Sequence, residues 1–215
     1  MLDMGPESNE AALVPALDRT IFPSTVPALE ELIAPFELAY RLLPGRTIRH
    51  LSVPSVLEDL PAIRLAGAIT TARRPLESLH LHTYSFDTLE RTLPVLLQAT
   101  PRLSVLSLDF IEIRNQPTLE RLNSPAGIFL FTSVPHLARL HLRFTFRSGL
   151  LQEDHQVFLD SFKRVCPKLG EITLSSMLRG ESVTYARARL LGGGEKWEKV
   201  KVVARNEWAF YAAHG

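Results

Sequence analysis

Apolar residues recur along this chain in one figure. A proline is followed within two places by an apolar residue, then two variable positions, an apolar residue, one variable position and another apolar residue. Four segments carry it: Pro75-Leu76-Glu77-Ser78-Leu79-His80-Leu81, Pro101-Arg102-Leu103-Ser104-Val105-Leu106-Ser107-Leu108, Pro135-His136-Leu137-Ala138-Arg139-Leu140-His141-Leu142 and Pro167-Lys168-Leu169-Gly170-Glu171-Ile172-Thr173-Leu174. Two weaker copies precede them, Ile48, Leu51 and Val53, and, after Pro27, Leu29, Leu32 and Ala34. Counted from the first apolar residue, the copies begin at 29, 48, 76, 103, 137 and 169, in steps of 19, 28, 27, 34 and 32 residues. Leucine-rich repeats run ~20–29 residues, so the period is long and irregular for that class.

In a strand, alternate side chains share a face. Leu79 with Leu81, Leu106 with Leu108, Leu140 with Leu142, and Ile172 with Leu174 therefore point inward together, with Phe110 and Phe144 extending two of the rows. A single strand cannot bury that row alone, whereas stacked copies form a continuous core. Between strands the signals are helical. Ser55 with Glu58 fits a capping box. Leu89, Leu93, Leu96 and Leu97 make an apolar stripe that Pro94 must kink or begin, and Phe158, Phe162 and Val165 make another. The expected fold is α/β: an irregular leucine-rich-repeat solenoid over residues 25–180, with a parallel sheet on its concave face and helices on its convex face. Val183–Leu191 and Lys196–Val203 flank Gly192-Gly193-Gly194 as a hairpin, so 181–215 is expected to cap the solenoid, with Trp197, Trp208, Phe210 and Tyr211 packing over the last repeat. Residues 1–24 read as a partly disordered segment or weak cap. The Asn that often follows the strand in such repeats is absent; Tyr84, Ile111 and Thr145 stand in its place.

Composition narrows the function classes. Formal net charge is +1, so no global field draws the chain to nucleic acid or acidic lipid. From Lys163 to Gly215 there are ten Lys/Arg against five Asp/Glu, a modest bias expected of a solvated surface. Cys166 is the only cysteine, which rules out an intrachain disulfide and a Cys-rich zinc site. The acidic, polar start lacks the basic and apolar regions of a secretory signal, and no stretch reaches the ~18 apolar residues of a membrane span. Cytoplasm or nucleus is the expected compartment.

No catalytic motif appears. The glycine triplet is followed by Glu195-Lys196-Trp197 rather than the Lys-Ser/Thr of a phosphate-binding loop, which leaves a hairpin turn. Cys166, directly before Pro167, reads as a small buried hydrophobe. His50, His80, His82, Asp109, Arg139, His141, Arg143, Glu31 and Glu171 all fall on outward strand positions. Three of these could ligate a metal, and Ser107, a histidine and Asp109 could be drawn as a triad. The ~4.8 Å between strands is expected to keep them apart, however, as a polar wall with no catalytic, metal or cofactor site. The expected binding residues are His80, His82, Asp109, Arg139, His141 and Arg143, offered to a protein partner; their mixed charge does not suit DNA, which wants a sustained basic track. Two rivals remain, an α/β hydrolase-like enzyme and a truncated remnant with no binding role.

Glu37-Leu38-Ala39-Tyr40-Arg41-Leu42-Leu43-Pro44-Gly45-Arg46-Thr47-Ile48, then Arg73-Arg74-Pro75-Leu76-Glu77-Ser78-Leu79-His80-Leu81, and Cys166-Pro167-Lys168-Leu169-Gly170-Glu171-Ile172-Thr173-Leu174 before a Trp-containing tail, resemble the repeat region of F-box/leucine-rich-repeat proteins of mushroom-forming fungi. The resemblance covers roughly residues 25–205. It implies a non-enzymatic scaffold for ubiquitin-ligase substrates. In that family an N-terminal F-box docks on the adaptor of a cullin-based ligase. Residues 1–46 show no Leu-Pro-x-Glu start of an F-box, so a ligase partner is expected only where an F-box lies upstream, and only the substrate-binding half of the role carries over.

Overall fold

The structure, a computed structural model, describes residues 29–111, 118–145, 154–189 and 194–203. Each copy of the apolar figure becomes one strand. The strands β1 (Glu31–Ile33), β2 (His50–Val56), β3 (Ser78–Thr83), β4 (Val105–Phe110), β5 (Arg139–Phe144) and β6 (Glu171–Ser176) pair in parallel, and the sheet order follows chain order. Parallel neighbours need a crossover, and here each crossover is helical. The helices are α1 (Phe36–Leu42), α2 (Asp59–Thr70), α3 (Phe86–Ala99), the pair α4 (Thr118–Leu122) and α5 (Pro125–Phe129), and α6 (Gln156–Val165). After β6 the chain reverses into the antiparallel hairpin β7 (Glu181–Arg189) and β8 (Glu195–Val203), which completes an eight-stranded sheet. The fold is therefore α/β, with a mostly parallel sheet and an antiparallel C-terminal hairpin.

The register follows the repeat. Leu32, Leu51, Leu79, Leu106, Leu140 and Ile172 lie side by side across six strands, and Val53, Leu81, Leu108, Leu142 and Leu174 form the next row. All are buried, in one cluster with the apolar faces of the helices. Each such leucine contributes roughly 1.5–3 kcal/mol by transfer from water. Phe110 and Phe144 close the third row as a stacked pair, ring centroids 5.3 Å apart.

The helices depart from expectation at Ser55. Ser55 caps no helix: it lies in β2, where its Oγ accepts from Phe36 N–H at 3.1 Å, and α2 starts after Glu58. The cause is Pro54, which has no N–H for the ladder; the pairing with β3 jumps from Val53 to Val56 and leaves Ser55 to turn toward α1. Of the two places left open for Pro94, it takes the one inside α3, and Ser85 caps that helix by accepting from Thr88 N–H at 3.2 Å. The 34-residue step between Leu103 and Leu137 holds two short helices, with Ser124 capping the second. The expected stripes on α3 and α6 are present: Leu89, Leu93, Leu96, Leu97, Phe158 and Phe162 are buried and Val165 packs against them. In the hairpin, Trp197 is buried; Gly192 and Gly193, the N-terminal segment 1–24, and Trp208, Phe210 and Tyr211 lie outside the described residues.

Candidate functional site

A parallel sheet is ordinarily covered on both faces. Here the apolar face packs on the helices, while most of the opposite strand positions are polar and at least partly exposed. Two rows define that open face. Ser52, His80, Ser107, His141 and Thr173 are register partners in one, and His82, Asp109, Arg143 and Ser175 in the next.

The rows do not remain the evenly spaced wall expected from strand geometry. They gather on Asp109, whose carboxylate is buried although its position points to the open side. His80 Nε2 lies 3.1 Å and His82 Nε2 3.4 Å from Asp109 Oδ2. From the other flank Arg143 donates through Nε to Oδ1 at 2.9 Å and through Nη2 to Oδ2. Imidazole and guanidinium side chains are long enough to lean across one strand spacing, and three of them together roof the short aspartate. Ser52 Oγ extends the group, 3.0 Å from His80 Nδ1.

The electrostatics follow from this enclosure. Burial alone would raise the Asp109 pKa, but hydrogen bonds from His80 and Arg143, with their charges, more than offset it and hold the carboxyl below its ordinary value. Burial holds His82 below the ordinary imidazole value, against the attraction of Asp109. His141 is lowered in the same way, burial outweighing the pull of Glu171, whose Oε1 stands 3.6 Å from Nε2.

Of the six expected binding residues, His80, His82, Asp109 and Arg143 thus form one centre. His141 sits beside it, 3.5 Å from Ser107 Oγ, and with Ser107, Thr173 and Ser175 it lines a shallow cleft that His80, Asp109 and Arg143 complete. Arg139 stands apart, exposed at the start of β5 in register with Glu171. Ser107 does not join Asp109 through a histidine; Ser52 does, through His80. Ser52 is the member that sequence reasoning missed. Its signal was present: with the copies laid side by side at the 28-residue step, position 52 falls opposite position 80. The same alignment places Arg49 near Glu77, a two-pronged ion pair at 2.7–2.9 Å on the strand entries.

No family model matches the chain, and no curated protein matches it.

The Ser52–His80–Asp109 chain has the residue types of a nucleophilic triad. Ser52, however, lies mid-strand between β1 and β3, both paired to it. An oxyanion hole needs donors aimed at developing charge, and Ser52 itself is held in the ladder on both sides. Asp109 also spends its charge on Arg143 as well as on His80. Cys166, buried and donating to Phe131 O at 3.7 Å, has its thiol pushed up to about 12 by burial, far from the value of a nucleophile. Among the described residues no helix is long and apolar enough to cross a membrane.

Proposed function

We propose that the chain is a non-enzymatic protein-interaction scaffold. In this reading it is the repeat region of a leucine-rich-repeat solenoid that binds a protein partner across the open sheet face. The observation that carries it is that open face: a parallel sheet with one side that no described element covers, lined by in-register polar rows. One strand per copy of the apolar figure, with a helical crossover between each copy and the next, supports the solenoid geometry. The missing strand-following Asn makes it a diverged example. The centre on Asp109 gives the face a rigid, mixed-charge core, and Arg139, His141 and Glu171 give it an adaptable margin; a polar protein surface matches that better than a nucleic-acid backbone. By resemblance, the partner is a substrate delivered for ubiquitination, with ligase recruitment requiring an F-box.

The test is a comparative capture from lysate of the source organism. Three baits are used: the wild-type chain, the open-face variant Arg139→Ala/His141→Ala, and a helix-face variant, Arg64→Ala/Arg91→Ala. Both variants should stay within about 0.5 kcal/mol of wild-type stability, as surface changes do. A partner held by wild type and the helix-face variant but lost by the open-face variant supports the reading. Equal retention by all three, or loss only on the helix-face bait, overturns it.

A further inference from the structure

We propose that His80, His82 and Asp109 form a binding site for a divalent transition-metal ion of the zinc class. Each histidine offers an imidazole nitrogen and Asp109 a carboxylate oxygen, all within 4.8 Å of one another, and in both histidines it is Nε2 that faces Asp109 Oδ2. His80 and His82 are alternate residues of β3, so both imidazoles leave the same face, and Asp109 is the register partner of His82 on β4. Two adjacent strands thus supply a rigid platform rather than a loop.

The spacing fits the ion. Zinc bonds of ~2.0–2.1 Å at tetrahedral angles place donor atoms roughly 3.3–3.4 Å apart. The two histidine-to-carboxylate separations, 3.1 and 3.4 Å, match that spacing before any ion is present. The third separation, between the two imidazole nitrogens, lies within 4.8 Å, and the rings, with centroids 5.0 Å apart and tilted by 40°, must turn toward each other to close the triangle. Two histidines and one carboxylate are also the donor set that borderline divalent metals prefer over calcium or magnesium.

The surroundings supply what a ligating histidine needs. A metal on Nε2 requires the ring proton on Nδ1, and there Ser52 Oγ accepts it at 3.0 Å. When His80 instead gives its Nε2–H to Asp109, the Ser52 hydroxyl reverses and donates to Nδ1, so one residue serves both tautomers. Arg143 is the competitor. Its Nη2 bonds Oδ2 and stands 3.5 Å from His80 Nε2, so an ion must displace Nη2 from the atoms it would bind, while the Nε–Oδ1 bond lies on the other carboxylate oxygen. Three protein ligands leave a fourth position open toward the cleft lined by Ser107, His141 and Thr173, where water or a partner's side chain can complete the shell. The site stands on its own geometry and does not depend on the scaffold reading.

The experiment titrates the intact, chelator-stripped chain with Co²⁺, followed by its visible absorption, and with Zn²⁺ by calorimetry. Expected are one ion per chain and the intense visible bands of tetrahedral Co²⁺ without thiolate charge transfer. His82→Gln and Asp109→Asn should each weaken Zn²⁺ binding at least 100-fold, and Ser52→Ala roughly 10–100-fold as an outer-sphere loss. His136→Gln, which removes an exposed imidazole elsewhere, should change nothing. Circular dichroism confirms folding of each variant. Should Asp109→Asn fail to fold, His82→Gln decides, because its side chain is partly exposed. Absence of stoichiometric binding in wild type, or affinity unchanged in His82→Gln, overturns the site.

Discussion

At the residue scale the open face is a set of side chains whose charge states depend on enclosure. His141 is the clearest case. Its imidazole is held below the ordinary value by burial, despite Glu171 nearby. A base with a depressed folded pKa binds fewer protons folded than unfolded. Its contribution to stability is therefore complete above the unfolded value of ~6.5 and is lost as pH falls through that value toward the folded one. Urea unfolding between pH 7.5 and 5.5 should show a falling midpoint in the wild type and a smaller fall in His141→Gln. An equal fall in both would mean that this imidazole does not carry the effect. The outward placement of His141 was legible from the alternation of Leu140, His141 and Leu142. The burial of Asp109 was not. Alternation assigns a face, but exposure on that face is set by neighbours 27 and 34 residues away, His82 and Arg143, and their reach becomes visible only once the strands are laid in register.

At the element scale the strands were legible and the connections less so. Each strand has a repeated apolar figure, and its inward rows arise from the same positions in every copy. Connections answer to local contacts that have no period. Pro54 displaces Ser55 from a cap into a strand-to-helix hydrogen bond, and the described part of the longest step holds two short helices. Glycine distinguishes the two kinds of environment. A methyl at Gly127 in α5 would meet Leu122 O at 2.6 Å and Leu122 Cα at 2.7 Å, with Arg121 O closer still, so the end of α4 sits against this position. Gly127→Ala should destabilise the chain by roughly 1–3 kcal/mol or more through overpacking against backbone that cannot yield cheaply. Gly67 lies in α2 with nothing within 4 Å of an added Cβ, and there Gly67→Ala should stabilise by about 0.5–1 kcal/mol through helix propensity. Thermal unfolding of the pair should give shifts of opposite sign. Shifts of the same sign would mean that α5 can move away from α4 at little cost.

At the scale of the whole molecule, a sheet that grows strand by strand must be stopped, because its last strand presents unpaired amides and carbonyls to any passing chain. Here β6 is closed by the reversal into β7, with Tyr185 set beside Ile172 and Val183 beside Leu174, so the apolar rows end under the hairpin. The hairpin is anchored to the helical layer as well as to the sheet. Tyr185 Oη lies 2.8 Å from His155 Nδ1, Lys163 donates to Glu195 O at 2.8 Å, and Arg187 donates to Pro167 O at 2.6 Å. Its outer strand is of the kind that resists further pairing: Lys196, Lys199 and Lys201 are exposed along β8, and lysine on an edge makes addition of another strand costly. The expectation of a C-terminal hairpin came from the glycine triplet between two apolar runs, and its antiparallel join to β6 is the added structural fact. Removing residues 181–215 should therefore uncover the whole of β6 together with the core ends at Ile172 and Leu174. The shortened chain should associate as its concentration rises, where the full chain under the same conditions does not change size. Light scattering coupled to size-exclusion chromatography measures this directly. A shortened chain that stays folded and keeps the size of a single copy would show that the parallel sheet ends safely without its hairpin, and that the hairpin's lysine edge guards nothing.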